Sequence, residues 1–201
     1  MSTVKQLAGR VGWRSRNAAS VWLALMIAAL CVLGAWPGHA GALELLNGGV
    51  RARVDDKTVL GETQPEVFRE YDLFSNFRLP WQHQYVSGWG WSLRLLTSIG
   101  VIQGAEYTGF VVSGIPLLVF GSGPGRFSVD AGAGLAILSR HRYALQDYGG
   151  PVQAALTFAI SLPLYRRVGI GYRFMHYSDA GLYGNDSIGA DFHMVELLYR
   201  F

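Results

Sequence analysis

Near its end the chain reads HYSDAGLYGNDSIGADFHMVELLYRF, and four residues in it have the types that do chemistry: His176, Ser178, Asp191 and His193. A serine hydroxyl is a weak nucleophile until an imidazole takes its proton. A carboxylate on the far ring nitrogen fixes the tautomer and steadies the imidazolium that forms. His176 and Ser178 stand at i and i+2, the spacing at which two residues of a β-strand share a face. Asp191 reaches them only if the next strand folds back alongside. The competing reading is a set of polar residues wetted at the rim of a sheet. A metal site built from His176, Asp191 and His193 lacks the dense ligand spacing such sites show.

The elements that would position these residues are strands. Val168, Ile170, Tyr172 and Phe174 alternate with Arg167, Gly169, Gly171 and Arg173. The last segment carries Val195, Leu197, Tyr199 and Phe201 on one face. The same period of two runs through three earlier segments. Trp89 to Val101 alternates with Leu96 as an exception; Phe127 to Ile137 opposes Ser128, Asp130, Gly132 and Gly134; Val152 to Leu162 opposes Gln153, Thr157 and Ser161. The pattern predicts strands at 48–56, 66–79, 85–101, 105–119, 126–140, 151–163, 166–177 and 188–201. No long helical stripe occurs after Ala42. The bulky faces are apolar and aromatic, and the opposite faces are glycine, serine and charge. That suits a small closed barrel with lipid outside and a narrow polar interior.

The connections alternate in character. Pro80-Trp81-Gln82, Gly121 to Gly125 and Pro163-Leu164-Tyr165 read as tight turns, as on a periplasmic side, while 57–65, 141–150 and 178–187 read as longer extracellular loops. A connection near 102–105 is short and fits that scheme poorly. Apolar residues alternating up to a terminal Phe201 resemble the assembly signal of bacterial outer-membrane barrels. Glu70, Asp72, Asn76, Arg78, Arg51, Arg53, Arg94, Asp130, Arg167, Arg173 and Glu196 are expected to fill the interior as a structural charge network. Leu79 is expected outside with Tyr71, Leu73 and Phe77. His83 and His141 receive no role.

The first 42 residues differ from the rest. Lys5, Arg10, Arg14 and Arg16 precede an apolar run from Ala18 to Trp36; Pro37 breaks it, and Ala40-Gly41-Ala42 has the small-residue pattern of a cleavage site. Residues 1–42 read as a secretory signal peptide and 43–201 as one outer-membrane barrel domain. A retained anchor helix is the rival reading. Cys31 follows Ala29-Leu30, which disfavours lipidation, and no cysteine remains for a disulfide after cleavage. Cleavage also removes four of the 17 basic residues and none of the 14 acidic ones. The basic charge that would argue for nucleic acid therefore belongs to the leader.

Parity then assigns directions. His176 and Ser178 continue the apolar phase of their strand. Asp191 and His193 fall on the phase of Phe201, Tyr199, Leu197 and Val195. Two independent counts put all four on the lipid-facing wall near the extracellular rim, where ionisable groups are tolerated.

The stretch HYSDAGL, followed by Asn185-Asp186 and by Asp191 ten residues before the terminal Phe201 of YRF, resembles the PagL family of lipid A 3-O-deacylases. DAGAG and YGGPVQ are similar to it as well. The resemblance implies an eight-stranded antiparallel transmembrane β-barrel. It implies His176 as base, Ser178 as nucleophile and Asp191 as orienting acid, through a segment slightly longer than the family's. The family motif has asparagine where this chain has Asp179. An ionised carboxylate cannot donate to an oxyanion, so backbone N–H groups near Asp179, Ala180 and Gly181 would serve instead. Asp179 as a simple loop-turn residue is the other reading. The implied activity is ester hydrolysis at the 3-position of lipid A, with no metal and no organic cofactor. The implied partners are lipopolysaccharide and the outer membrane, with no nucleic acid, and a homodimer is compatible with this. A non-catalytic structural or adhesion barrel and a lipid A acyltransferase stand as alternatives.

Overall fold

The computed structural model describes residues 43–60, 64–122, 127–184 and 187–201. The signal-peptide reading lies outside these. Eight long strands form one closed antiparallel barrel: β1 (Leu45–Asp55), β2 (Phe68–Gln84), β3 (Gly90–Gly104), β4 (Tyr107–Gly121), β5 (Ser128–Leu138), β8 (Val152–Tyr165), β9 (Val168–Ser178) and β10 (Ala190–Arg200). A two-stranded hairpin, β6 (Arg142–Tyr143) and β7 (Gln146–Asp147), stands apart in the β5–β8 connection. Each barrel strand pairs with its sequence neighbour, and β1 closes the sheet against β10, with Gly48 opposite Tyr199 and Arg51 opposite Glu196. Closure leaves no strand edge unpaired, the requirement for a sheet surrounded by hydrocarbon.

The alternation resolves into an inverted molecule. Leu73, Ile99, Phe110, Leu118, Ile137, Leu197 and Tyr199 point outward and are 44–62% exposed. Arg51, Glu70, Asp72, Asp130, Arg173 and Glu196 point inward and are at most 6% exposed. The interior of an eight-stranded barrel is narrow, and most of these groups pair with one another, while Glu70 accepts from the Tyr177 hydroxyl (3.2 Å). Arg51 Nε donates to Asp72 (2.6 Å) and its Nη2 to Ser98 (2.9 Å); Arg173 bridges Glu196 (2.6 Å) and Asp130 (2.8 Å). Gly100 lies opposite Asp72, and a Cβ there would collide with its carboxylate. The interior is less polar than the sequence suggests, because Leu96, Ile102, Val111, Ile115, Met175 and Phe192 fill it too. Near the loop end, Phe68, Tyr143, Tyr148 and Phe192 pack ring against ring under the β6–β7 hairpin. Burial pushes the Tyr143 hydroxyl up to about 12.

Several expectations need correction. Pro80-Trp81-Gln82 is not a turn: β2 runs through it, and the chain reverses at Tyr85–Trp89. Pro163 likewise lies within β8, and the reversal comes at Arg166-Arg167. Both prolines sit where the pairing register slips, because a residue without an N–H is tolerated in a sheet at a bulge. The slip after Arg78 carries Leu79 inside, 1% exposed, instead of outside. Arg78 pairs with Glu44, just before β1, and Arg167 is exposed in the turn rather than in the lumen. The short connection after β3 is a two-residue turn, Ala105-Glu106, with both φ angles positive, as a type I′ hairpin requires.

Candidate functional site

The hydrogen-bond register of β9 and β10 sets Asp191 directly opposite His176. Both side chains lie on the outer wall, since Met175 and Tyr177 on β9 and Phe192 on β10 are wholly buried inside. His176 Nδ1 is 2.7 Å from Asp191 Oδ1. A carboxylate only accepts, so Nδ1 carries the proton and Nε2 is left with the lone pair of a base. Ser178 is the last residue of β9, two positions beyond His176 on the same face and half-buried. Strand geometry puts the two Cα atoms about 6.6 Å apart. The neighbours of this pair on β8 are Leu156 and the small Ala154.

His176 and Asp191 point outward but are not open. Asp191 is 0% and His176 8% exposed. The β1–β2 connection explains this. The Asp55 carboxylate accepts from the amides of Asp56 (2.7 Å) and Lys57 (3.2 Å), a local turn of the Asx type. The chain then passes over the outside of β10. There the amides of Val59 (2.5 Å) and Leu60 (2.7 Å) both donate to Asp191 Oδ2. Gln64 Nε2 donates to the Asp191 carbonyl (3.0 Å). The Asp191 side chain therefore has three partners, and its negative charge is met by two backbone donors besides the imidazole.

His193, two residues along β10, is 8% exposed on the same wall. Its Nε2 is 2.9 Å from the Lys57 carbonyl and its Nδ1 is 2.5 Å from the Tyr172 hydroxyl. The carbonyl can only accept, so Nε2–H donates, and neutral Nδ1 accepts from Tyr172. With both nitrogens engaged by protein, His193 holds the β1–β2 connection down. Among the described residues no cluster of three or more metal-ligating side chains occurs.

The segment after Ser178 is organised by Asp179. Its Oδ1 accepts from the Gly181 amide (2.9 Å), its Oδ2 from the Tyr183 amide (3.1 Å), and its carbonyl from the Leu182 amide (3.0 Å). Asp179 is 6% exposed. Ala180 and Gly181 both have positive φ, 53° and 79°, and for alanine that conformation costs about 1–2 kcal/mol. In the β6–β7 hairpin, Gln146 donates to the Ile188 carbonyl (2.7 Å), and the Ile188 amide donates to the Asp147 carbonyl (2.8 Å). This ties the hairpin to the strand entry at Gly189. A Cβ on Gly189 would come within 3.0 Å of His176 Cε1 and 3.4 Å of Nε2, so glycine there leaves room for the imidazole.

His176, Ser178 and Asp191 thus share one wall at one end of two paired strands. Sequence reasoning missed Val59, Leu60, Gln64 and Gly189. The first three lie in a connection with no strand period, and nothing in their spacing points to Asp191, more than 120 residues away.

The family model described as lipid A 3-O-deacylase (PagL) matches residues 69–200. The crystal structure of the outer membrane enzyme PagL is similar to this chain with a TM-score of 0.61 and 18% sequence identity. The match covers 77% of this chain and 99% of that one. No curated protein matches the sequence.

Proposed function

The chain belongs to the lipid A 3-O-deacylase (PagL) family, and from that premise we propose a serine-esterase mechanism carried by His176, Ser178 and Asp191. The observation that carries it is the His176–Asp191 pair, Nδ1 to Oδ1, on the outer wall of the barrel with its far imidazole nitrogen left as acceptor. His176 Nε2 takes the Ser178 proton as Oγ attacks the ester carbonyl at the 3-position of lipid A. Asp191 holds the tautomer and stabilises the imidazolium. The imidazolium protonates the departing sugar oxygen, water hydrolyses the acyl-enzyme, and a 3-hydroxy fatty acid leaves. The mechanism calls on no metal or organic cofactor. The substrate is lipopolysaccharide, nucleic acid has no part, and association as a homodimer is compatible with the reading.

The oxyanion donors need refinement. The Gly181 amide is taken by Asp179, so the Ala180 amide, at the strained residue, is the donor we propose. Asp179 then supports the site by shaping the turn. This favours its turn role over the direct oxyanion role in which an asparagine side chain would donate.

The barrel belongs in the outer membrane. An exposed belt of leucine, isoleucine, phenylalanine and tyrosine around a salt-bridged interior supports a transmembrane placement. With the 56–67, 139–151 and 179–189 connections on the outer side, lipopolysaccharide of the outer leaflet reaches the wall by lateral diffusion, and residues 1–42 serve as the cleaved export signal. Mass spectrometry of lipid A from cells expressing the protein tests the reading. Loss of one 3-hydroxyacyl chain, abolished by Ser178→Ala, is expected. Gain of a chain would indicate acyl transfer, and an unchanged lipid A would leave a structural barrel.

A further inference from the structure

The β1–β2 connection does more than cover the wall. We propose that Val59 and Leu60 form a two-sided element of the site: their backbone amides fix the acid, and their side chains seat an acyl chain of the lipid substrate. The proposal rests on the serine-esterase reading above and adds residues to it.

The amide half follows from the hydrogen bonds. Asp191 Oδ2 receives the Val59 and Leu60 amides at 2.5 and 2.7 Å while Oδ1 receives His176 Nδ1 at 2.7 Å. A free aspartate rotates about its side-chain torsions, and rotation would break the imidazole contact. Two donors on one oxygen fix the rotation and leave the other oxygen facing the ring. The connection that supplies them is itself held, by Gln64 on the Asp191 carbonyl and by His193 Nε2 on the Lys57 carbonyl. Four hydrogen bonds thus run between this connection and β10.

The side-chain half follows from exposure. Val59 is 64% and Leu60 40% exposed, although the neighbouring positions Asp55, Asp56, Lys57 and Thr58 are polar. Two adjacent apolar side chains left open directly beside a buried acid–imidazole pair are a surface for a hydrocarbon tail. The site's own chemistry selects the occupant, because hydrolysis of a lipid ester needs the acyl chain laid along the wall next to the scissile bond. The dipeptide lies outside residues 69–200 that match the family model, so its role is read from this chain alone.

The two halves separate in kinetics. Paired prolines (Val59→Pro with Leu60→Pro) remove both N–H donors and keep apolar side chains. Paired serines (Val59→Ser with Leu60→Ser) keep both donors and remove the apolar surface. Hydrolysis of purified lipopolysaccharide in mixed micelles is measured for both, with barrel folding checked by heat-modifiable gel mobility. The proline pair is expected to lose about tenfold or more in kcat with KM within about twofold. The serine pair is expected to raise KM about fivefold or more with kcat within about twofold. Unchanged kcat in the proline pair overturns the acid clamp, and unchanged KM in the serine pair overturns the acyl seat. A joint loss of both parameters in both variants shows a merely structural loop and overturns the proposal. If the proline pair does not fold, Leu60→Pro alone is read by the same criteria. Ser178→Ala, run in parallel, keeps the outcomes apart: turnover surviving in it rejects the esterase reading itself.

Discussion

In the proposed mechanism the two backbone hydrogen bonds to Asp191 Oδ2 set what its carboxylate is worth. Asp191→Asn keeps the shape but presents an NH2 to either the imidazole or two backbone amides, leaving donors facing donors in a buried place. Turnover is expected to fall by two to four orders of magnitude, as when a triad acid is neutralised, measured as released hydroxy fatty acid. Asp179→Asn separates two arguments. From sequence alone, restoring the family's asparagine should speed turnover by supplying an oxyanion donor. In the structure both Asp179 oxygens accept backbone amides, and asparagine can offer only one carbonyl oxygen. The expected result is slower turnover and a loop weakened by about 1 kcal/mol; faster turnover would restore the direct oxyanion role. Gly189→Ala brings a methyl to 3.0 Å from the imidazole. It should lower kcat with little change in KM, because the ring is displaced and the lipid surface is not.

At the scale of elements, alternation made eight strands and their faces legible, and with them the shared wall of His176, Ser178 and Asp191. Period two is a physical consequence of the pleat, so it survives in a single sequence. What it could not carry was anything without a period. Pro80 and Pro163 point to turns in the sequence because proline usually ends a strand, yet bulges absorb them. Phase counted past the first bulge then put Leu79 on the wrong side. The β6–β7 hairpin is too short to show a pattern. The cover over Asp191 depends on contacts between residues far apart in sequence. The lumen network was legible in kind, and its geometry gives a prediction. Arg173→Met leaves Asp130 buried without its cation and leaves Glu196 only Arg51, at 3.6 Å, which should cost about 3–5 kcal/mol in urea unfolding of the barrel. Because the pairing lies inside and the site outside, catalysis by the fraction that folds should be retained.

The whole molecule is organised inside out, and that inversion has a function. The open space inside the barrel is a cavity of about 620 Å³ lined by charged and polar groups such as Arg78, Arg94 and Asp130, a poor host for acyl chains, which favours the proposed lipid site on the outer wall. Lateral access replaces a pocket. The same inversion gives a test of the membrane placement. Leu73 and Ile99 are directly opposed on β2 and β3, 62% and 54% exposed, well away from either end of their strands. In a water-soluble barrel an arginine at either position would be neutral or helpful, since it replaces exposed hydrocarbon with a solvated cation. In a bilayer the same change places a charge near mid-depth at a cost of about 2–4 kcal/mol. Leu73→Arg and Ile99→Arg are therefore expected to destabilise the protein refolded into phospholipid vesicles. Val54→Arg, one residue before the loop-end terminus of β1 and 59% exposed, should cost at most about 1 kcal/mol. Equal effects at the three positions would contradict a bilayer around the belt. A graded loss fixes the depth of the wall and, with it, the height at which His176 and Ser178 meet the outer leaflet.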